Sequence, residues 1–153
     1  MSQESRAAGY LGLLPFVASL ALALSANAGG VASWSAAETR AYAEQLGLSW
    51  GAIILTFVGA VHWGLAVAGA CAWQSKSVLT AIAPSAVALL GLWLGGIQGY
   101  SILIAGLGFF WLYERRYCTE FLPADYVQLR RVLTFAVCSL LALTAIALDV
   151  GSL

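Results

Sequence analysis

Charged side chains are scarce in this sequence. They make up 9% of its 153 residues, whereas hydrophobic residues make up 61%. A soluble domain carries about 25% charged residues, so the deficit predicts an integral membrane protein. The formal net charge is zero, and without an excess of basic residues we expect no nucleic-acid partner.

Residues that bind metals are also few. The chain has one histidine, one methionine and three cysteines, so it cannot supply paired histidine ligands or a His/Met pair for haem. No Cys/His spacing resembles a zinc site, and no Asp, Glu or Lys lies in the middle of an apolar run to form a carboxylate proton relay. We therefore expect no metal site and identify no catalytic residue, and the sequence specifies no cofactor.

The cysteines are odd in number and predict no closed disulfide framework. Cys71 and Cys118 are expected on the cytoplasmic side and Cys138 inside a span, all as reduced thiols.

The apolar run from Trp50 to Trp73 is the centre of the sequence. It has no charge between its two tryptophans and is long enough to cross a bilayer as a helix. His62 lies near its middle, which predicts a position near the bilayer midplane. Small residues recur every four positions, a pattern that lets helices pack closely in lipid: Ala52, Thr56, Ala60, Gly64 and Ala68. We expect this helix in the interior of a bundle.

An ionisable residue inside a membrane is costly and often functional, and His62 has three interpretations. Its imidazole can bond a carbonyl or hydroxyl of another helix and simply hold the bundle together. It can contact a ligand, or it can take part in proton or metal chemistry. The sequence leaves all three open.

Five spans account for the apolar runs, and the chain is predicted to be one all-α membrane domain over residues 1–153. The predicted spans cover about residues 7–28, 50–72, 77–94, 99–113 and 131–148. The first predicted span could instead be a cleavable signal peptide, since residues 26–28 have the small-x-small form of a cleavage site. The segment before the apolar run carries no net positive charge, because Glu4 offsets Arg6, and this favours a retained span.

The connections carry local signals. Ser35 and Glu38 match a capping box, which predicts a short interfacial helix over residues 36–46, stopped by Gly47. Glycines at 95, 96 and 99 predict the break between the third and fourth spans. Pro123 suits a helix start, so an amphipathic stretch is expected to continue from there into the fifth span.

Orientation follows from basic residues next to the spans. If the chain crosses the membrane five times, six basic residues lie on the side of the N-terminus: Arg6, Lys76, Arg115, Arg116, Arg130 and Arg131. Only Arg40 falls on the other side. This predicts a cytoplasmic N-terminus and a periplasmic C-terminus in the inner membrane. The arginines at 115, 116, 130 and 131 are candidates to contact anionic lipid head groups.

Aromatic residues and one imidazole could line a pocket for a flat hydrophobic molecule such as a quinone or porphyrin. The candidate ligand-binding residues are His62, Trp63, Gly59, Trp93 and Tyr100. The alternative is that these aromatics only pack the bundle and anchor it at the interfaces.

Three segments carry a resemblance to a known family. They are residues 12–16 (GLLPF), residues 51–64 (GAIILTFVGAVHWG), and Leu122-Pro123 with the later Tyr126 and Leu129-Arg130. The chain resembles an uncharacterised family of bacterial inner-membrane proteins (domain of unknown function 3429), which is similar to mitochondrial transmembrane protein 69. The resemblance implies an integral inner-membrane protein of unknown activity and assigns no catalytic residue.

The first functional hypothesis is a non-enzymatic accessory or assembly protein that packs against other membrane proteins or itself. The second is binding or transport of a hydrophobic small molecule near His62, and a membrane enzyme is third.

Overall fold

The computed structural model describes residues 3–31, 33–69, 75–117 and 122–151. These residues form six helices and no strand: α1 (Gln3–Leu11), α2 (Leu14–Asn27), α3 (Ala36–Val67), α4 (Ser75–Leu94), α5 (Gly96–Tyr117) and α6 (Ala124–Val150). Trp73, Cys71 and Cys118, which the sequence places at the end of the central run and on the cytoplasmic side, lie outside the described residues.

The first apolar run is broken into α1 and α2 at Gly12–Leu13. Pro15 lies in the first turn of α2, and a proline ring both lacks an N–H and clashes with the carbonyl four residues earlier. Trp50 Nε1 donates to the Gly12 carbonyl over 2.9 Å. The half-buried Trp50 therefore satisfies a carbonyl at the break, a role beyond the interface anchor that the sequence predicts.

The start of α3 follows its local signal. Ser35 is the N-cap, and its hydroxyl oxygen accepts a hydrogen bond from the Glu38 backbone N–H. The Glu38 carboxylate in turn accepts a hydrogen bond from the Ser35 backbone N–H. The predicted capping box is confirmed, but the predicted stop at Gly47 is wrong, because α3 continues to Val67. A Cβ on Gly47 would lie 2.5 Å from the Tyr100 hydroxyl oxygen, so this glycine permits close helix packing. Residues 36–46 are thus the first part of a long helix rather than a separate interfacial one.

The turn between α4 and α5 is tight. Gly95 and Gly96 have φ angles of 61° and 50°, a left-handed conformation that glycine adopts without steric cost. Glu44 accepts from the Gly96 backbone N–H over 2.7 Å and so caps the first turn of α5. The predicted break is confirmed, although α5 begins at Gly96 rather than Gly99.

From α2 onwards, sequential helices pack side by side, and α6 returns to contact α2. Helix α3 contacts α2, α4, α5 and α6, so the interior position expected for the central run is found. The largest apolar and aromatic side chains of the core are each at most 1% exposed: Phe16, Leu55, Tyr100, Leu103, Leu107 and Leu141.

Four segments are long and apolar enough to cross a membrane: Arg6–Asn27, Ala36–Val67, Gly96–Tyr117 and Ala124–Val150. In α4 the described apolar part, Leu79–Leu94, is shorter. Large apolar side chains cover the outside, such as Trp93 at 81% and Phe109 at 72% exposure, which suits a lipid environment far better than water. The sequence-based expectation of a helical, membrane-compatible bundle is confirmed.

Polar side chains at the far end of α6 cap its last carbonyls. Arg40 donates to the Leu148 carbonyl and to Asn27 Oδ1, and Asn27 donates to the Ala147 carbonyl over 2.8 Å. A cation at the C-terminus of a helix is favourable because of the helix dipole. Arg40 on α3 therefore contacts α6, just as Glu44, four residues later on the same helix, contacts the start of α5.

The predicted row of small residues on α3 is not the face that packs inward. Ala52 is buried, but Thr56, Ala60, Gly64 and Ala68 are exposed. The buried face of α3 passes instead through Leu55, Gly59 and His62. A helix turns about 100° per residue, so the two rows lie on different faces, and long-range contacts decide which one is covered.

Candidate functional site

His62 is buried and paired with a carboxylate. Its side chain is 7% exposed, and its Nε2 lies 3.0 Å from Glu114 Oε1 on α5. A carboxylate only accepts hydrogen bonds, so in this contact Nε2 carries the proton and donates. The ring also meets Phe110 edge to face, with centroids 5.2 Å apart. One partner of His62 is thus an ionisable residue from another helix.

Arg130 on α6 binds the other oxygen of the same carboxylate. Its Nε lies 3.2 Å from Glu114 Oε2, and its Nη1 donates to Thr134 Oγ1 over 2.7 Å. The Thr134 hydroxyl in turn donates a hydrogen bond to the Arg130 carbonyl. Glu114 is 4% and Arg130 8% exposed, so the charges are removed from solvent together. We call these three side chains the His62–Glu114–Arg130 network.

This network joins three helices at one end of the bundle. His62 lies about one and a half turns before the end of α3 at Val67, Glu114 in the last turn of α5, and Arg130 about two turns after the start of α6 at Ala124. The predicted span over residues 50–72 differs from α3, which begins at Ala36 and ends at Val67, so His62 lies nearer the end of its helix than the middle.

Burial of the two charges is costly unless each is paired. Removing one partner of a buried ion pair typically destabilises by about 3–5 kcal/mol, because the other charge is left without compensation. The Arg130 guanidinium and the Glu114 carboxylate compensate each other, and His62 makes a further hydrogen bond with the same carboxylate. Arg130 Nη2 is buried and has no hydrogen-bond partner among the described residues.

An apolar cavity of about 530 Å³ lies beside this network. Residues from α1, α3, α5 and α6 border it, together with Gly12 and Leu13 at the break between α1 and α2: Ala8, Gly9, Gly12, Leu13, Ile54, Phe57, Val58, Val61, Leu107, Tyr126, Leu129, Arg130, Leu133 and Val137. Arg130 is its one charged lining residue. Small-molecule sites in proteins have about this size and this mixture of apolar walls with a few polar groups.

The candidate residues from the sequence do not form one site. His62 and Gly59 lie one turn apart on the buried face of α3, but Gly59 packs against α4, where a Cβ would lie 2.6 Å from the Ala81 carbonyl oxygen. Trp63 is 45% and Trp93 81% exposed. Tyr100 is buried near Gly47, about 22 Å along α3 from His62 at the usual helical rise. None of the five borders the apolar cavity.

Sequence reasoning missed Glu114 and Arg130 as site residues, since both were assigned to the charged segment that flanks the fourth and fifth spans. A signal was present in the spacing. The buried residues of α5 recur at 100, 103, 107, 110 and 114, and those of α6 at 130, 134, 137, 141 and 144. These steps of three and four residues are the period of one helix face, and they place both charges on the inward face.

No group of three or more His, Cys, Asp or Glu residues that could hold a metal ion is found within the described ranges. The network itself offers one imidazole and one carboxylate, and the carboxylate already binds Arg130. This arrangement holds the Arg130 guanidinium rigidly between Glu114 and Thr134, and Arg130 also borders the apolar cavity.

Comparison with curated proteins and with solved structures finds no significant match. A family model does match, over residues 1–146, and its description is "Protein of unknown function (DUF3429)". The match covers nearly the whole chain, including every residue of the network and of the cavity wall. It carries no statement about bacterial or mitochondrial relatives, which remain an implication of the resemblance. This chain therefore belongs to the DUF3429 family of proteins of unknown function.

Proposed function

We propose that this chain is a five-span inner-membrane protein that binds a hydrophobic small molecule in the cavity beside Arg130. Four spans have the required length and composition. The fifth would be α4, whose 20 residues extend about 30 Å, the thickness of the hydrocarbon core. Helix α4 contacts both α3 and α5, so it would lie in the same layer of the membrane as they do.

Five spans place the chain ends on opposite sides. The excess of basic residues then puts the N-terminus, and with it the His62–Glu114–Arg130 network, at the cytoplasmic end. Arg115 lies 5.7 Å from the centre of the Trp111 ring, and Arg116 lies 5.4 Å from that of Tyr117. Both arrangements suit arginines near the lipid head groups, where aromatic rings also concentrate.

Labelling of single cysteines tests this orientation. In a chain whose three native cysteines are replaced by serine, the exposed positions 3 and 33 become Gln3→Cys and Ser33→Cys. A membrane-impermeant maleimide applied to spheroplasts is expected to label Ser33→Cys at once, and Gln3→Cys only after permeabilisation. Equal labelling of both before permeabilisation would contradict the five-span orientation.

The observation that carries the binding function is the apolar cavity itself. Its walls come from α1, α3, α5 and α6, and its volume of about 530 Å³ is in the range of small-molecule sites. In a membrane the natural occupant is an apolar chain or ring. Arg130 adds a charged residue to the otherwise mostly apolar wall, which suits an amphiphile.

Filling the cavity tests this function. Leu133 borders it, so Leu133→Trp is expected to exclude the occupant, whereas Leu143→Trp on the exposed side of α6 adds the same ring facing lipid. Native mass spectrometry of protein extracted in a mild detergent should show a small-molecule adduct on the wild type and on Leu143→Trp. The adduct should fall at least about tenfold in Leu133→Trp, a change of about 1.4 kcal/mol. An equal adduct on all three proteins would contradict the proposal.

A specific feature also supports the assembly hypothesis. Thr56 and Ala60 of α3 line an open cleft against Ser85 and Ala88 of α4, and small residues let a further helix approach closely in lipid. The occupant would be a transmembrane helix of another membrane protein. In the same mass spectra this function predicts a bound polypeptide, lost in Ala60→Leu but kept in Leu133→Trp. Its absence from the wild type would contradict this second function.

A further inference from the structure

A basic groove lies between α5 and α6, at the end of the bundle that holds the His62–Glu114–Arg130 network. Arg115 of α5 and Arg131 of α6 both line it, and its volume is about 590 Å³. Both side chains are exposed, and neither forms a hydrogen bond or an ion pair with another described residue. The described residues of the groove wall include no carboxylate. Two positive charges therefore share one space, and the described part of the wall supplies no counter-charge.

The neighbouring arginines are engaged elsewhere. Arg130 is buried and pairs with Glu114, and the Arg116 guanidinium lies over the Tyr117 ring. Neither of these two arginines lines the groove. Four arginines flank the fourth and fifth predicted spans, and the tertiary structure thus leaves only two of them to act together on a ligand in this groove.

An aromatic pair lies one helical turn from the two groove arginines. Trp111 precedes Arg115 by four residues on α5, and Phe135 follows Arg131 by four residues on α6. The Trp111 and Phe135 rings contact each other with centroids 5.4 Å apart, so both steps lead toward the apolar middle of the bundle. Phe135 is 58% exposed. Charged groups above exposed aromatic rings are typical of the membrane–water interface.

The two layers of this site restrict its ligand. A guanidinium donates paired N–H groups that match the oxygens of a phosphate, and the rings below suit an acyl chain. The ammonium of an ethanolamine head group would lie near Arg115 and Arg131, which repel it. A glycerol head group brings hydroxyls instead, and the Gln128 amide, which also lines the groove, offers both a donor and an acceptor for them.

We infer that this groove binds an anionic phospholipid of the phosphatidylglycerol class. The arginines at 115 and 131 hold its phosphate, and an acyl chain lies against Trp111 and Phe135. Basic pockets between spans on the cytoplasmic side are a known way to bind such head groups. No residue lines both this groove and the apolar cavity beside Arg130, so the site goes beyond the proposed function and does not depend on the ligand of that cavity.

Titration of the detergent-solubilised protein with phosphatidylglycerol or phosphatidylethanolamine of equal acyl chains tests the site, with bound lipid counted by native mass spectrometry. The wild type is expected to bind one phosphatidylglycerol at least about tenfold more tightly than phosphatidylethanolamine. Arg115→Gln and Arg131→Gln should each weaken phosphatidylglycerol binding about fivefold. Arg116→Gln is the matched control, because it removes an adjacent exposed charge outside the groove, and it should bind as the wild type does. The unfolding midpoint in SDS should be the same for all three variants.

Glycerol 3-phosphate supplies the same phosphate without acyl chains, and at equal concentration it should not displace the lipid. Displacement would overturn the lipid assignment in favour of a soluble phosphate compound. Equal binding of the two lipids by the wild type, or an equal loss in Arg116→Gln, would overturn the inference as a whole. Leu133→Trp fills the other cavity and should leave phosphatidylglycerol binding unchanged, so failure here and failure of the proposed binding function are separate results.

Discussion

Glu114→Ala is expected to lower the free energy of unfolding by about 3–5 kcal/mol, because it leaves Arg130 charged and uncompensated inside the bundle. His62 loses its carboxylate partner at the same time, 3.0 Å away in the wild type. Unfolding by titration with SDS, followed by tryptophan fluorescence, measures the change.

Two variants control for this effect. Glu38→Ala removes an exposed carboxylate at the start of α3 and should cost about 1 kcal/mol, the usual value for a lost cap. Glu114→Leu/Arg130→Leu removes both charges and should recover most of the stability, since apolar replacements of a buried ion pair are often neutral or stabilising. A loss below about 1 kcal/mol in Glu114→Ala would mean that Arg130 reaches water and that the site is not closed.

Gly59→Ala and Gly99→Ala are expected to be the next most harmful changes, at about 1–3 kcal/mol each. A Cβ on Gly59 would lie 2.6 Å from the Ala81 carbonyl oxygen, and a Cβ on Gly99 would lie 2.5 Å from that of Gly91. Both contacts are with the backbone of α4, which cannot move aside as a side chain can. Helix α4 must therefore shift away from α3 or from α5.

Gly64→Ala and Gly108→Ala are the matched controls, because a Cβ at either position meets nothing within 4 Å. Alanine favours a helix over glycine by about 0.5–1 kcal/mol, so these two variants should be unchanged or slightly more stable. The same SDS titration compares all four. A similar loss in the controls and in the packed positions would show that glycine flexibility, rather than close helix contact, is what matters.

Much of the fold could be predicted because its signals are local. The Ser35–Glu38 capping box starts α3, and the left-handed Gly95–Gly96 pair turns α4 into α5. Apolar runs of sufficient length identify the membrane-capable helices. Each of these signals involves residues a few positions apart, so their spacing in the chain is enough to interpret them.

The candidate site was predicted only in part, through His62. Its partner Glu114 is 52 positions away, and Glu114 is 16 positions from Arg130. Charges next to an apolar run usually lie in the head-group region, which is why Arg130 was interpreted as a topology signal and Glu114 was given no role. Their place on the inward face of α5 and α6 was visible in the helical period, but their mutual contact was not.

The sequence by itself determined that this protein is a helical bundle suited to lipid, that a helix follows the Ser35–Glu38 capping box, and that glycines make the turn between α4 and α5. Only the tertiary structure decided that Gly47 lies inside a helix, that the face bearing Thr56 and Ala60 is left exposed, and that three ionisable side chains meet beside an apolar cavity. Local propensities fix the helices one at a time. The rotation of each helix about its axis is decided by which neighbours it buries, and those neighbours come from distant parts of the chain.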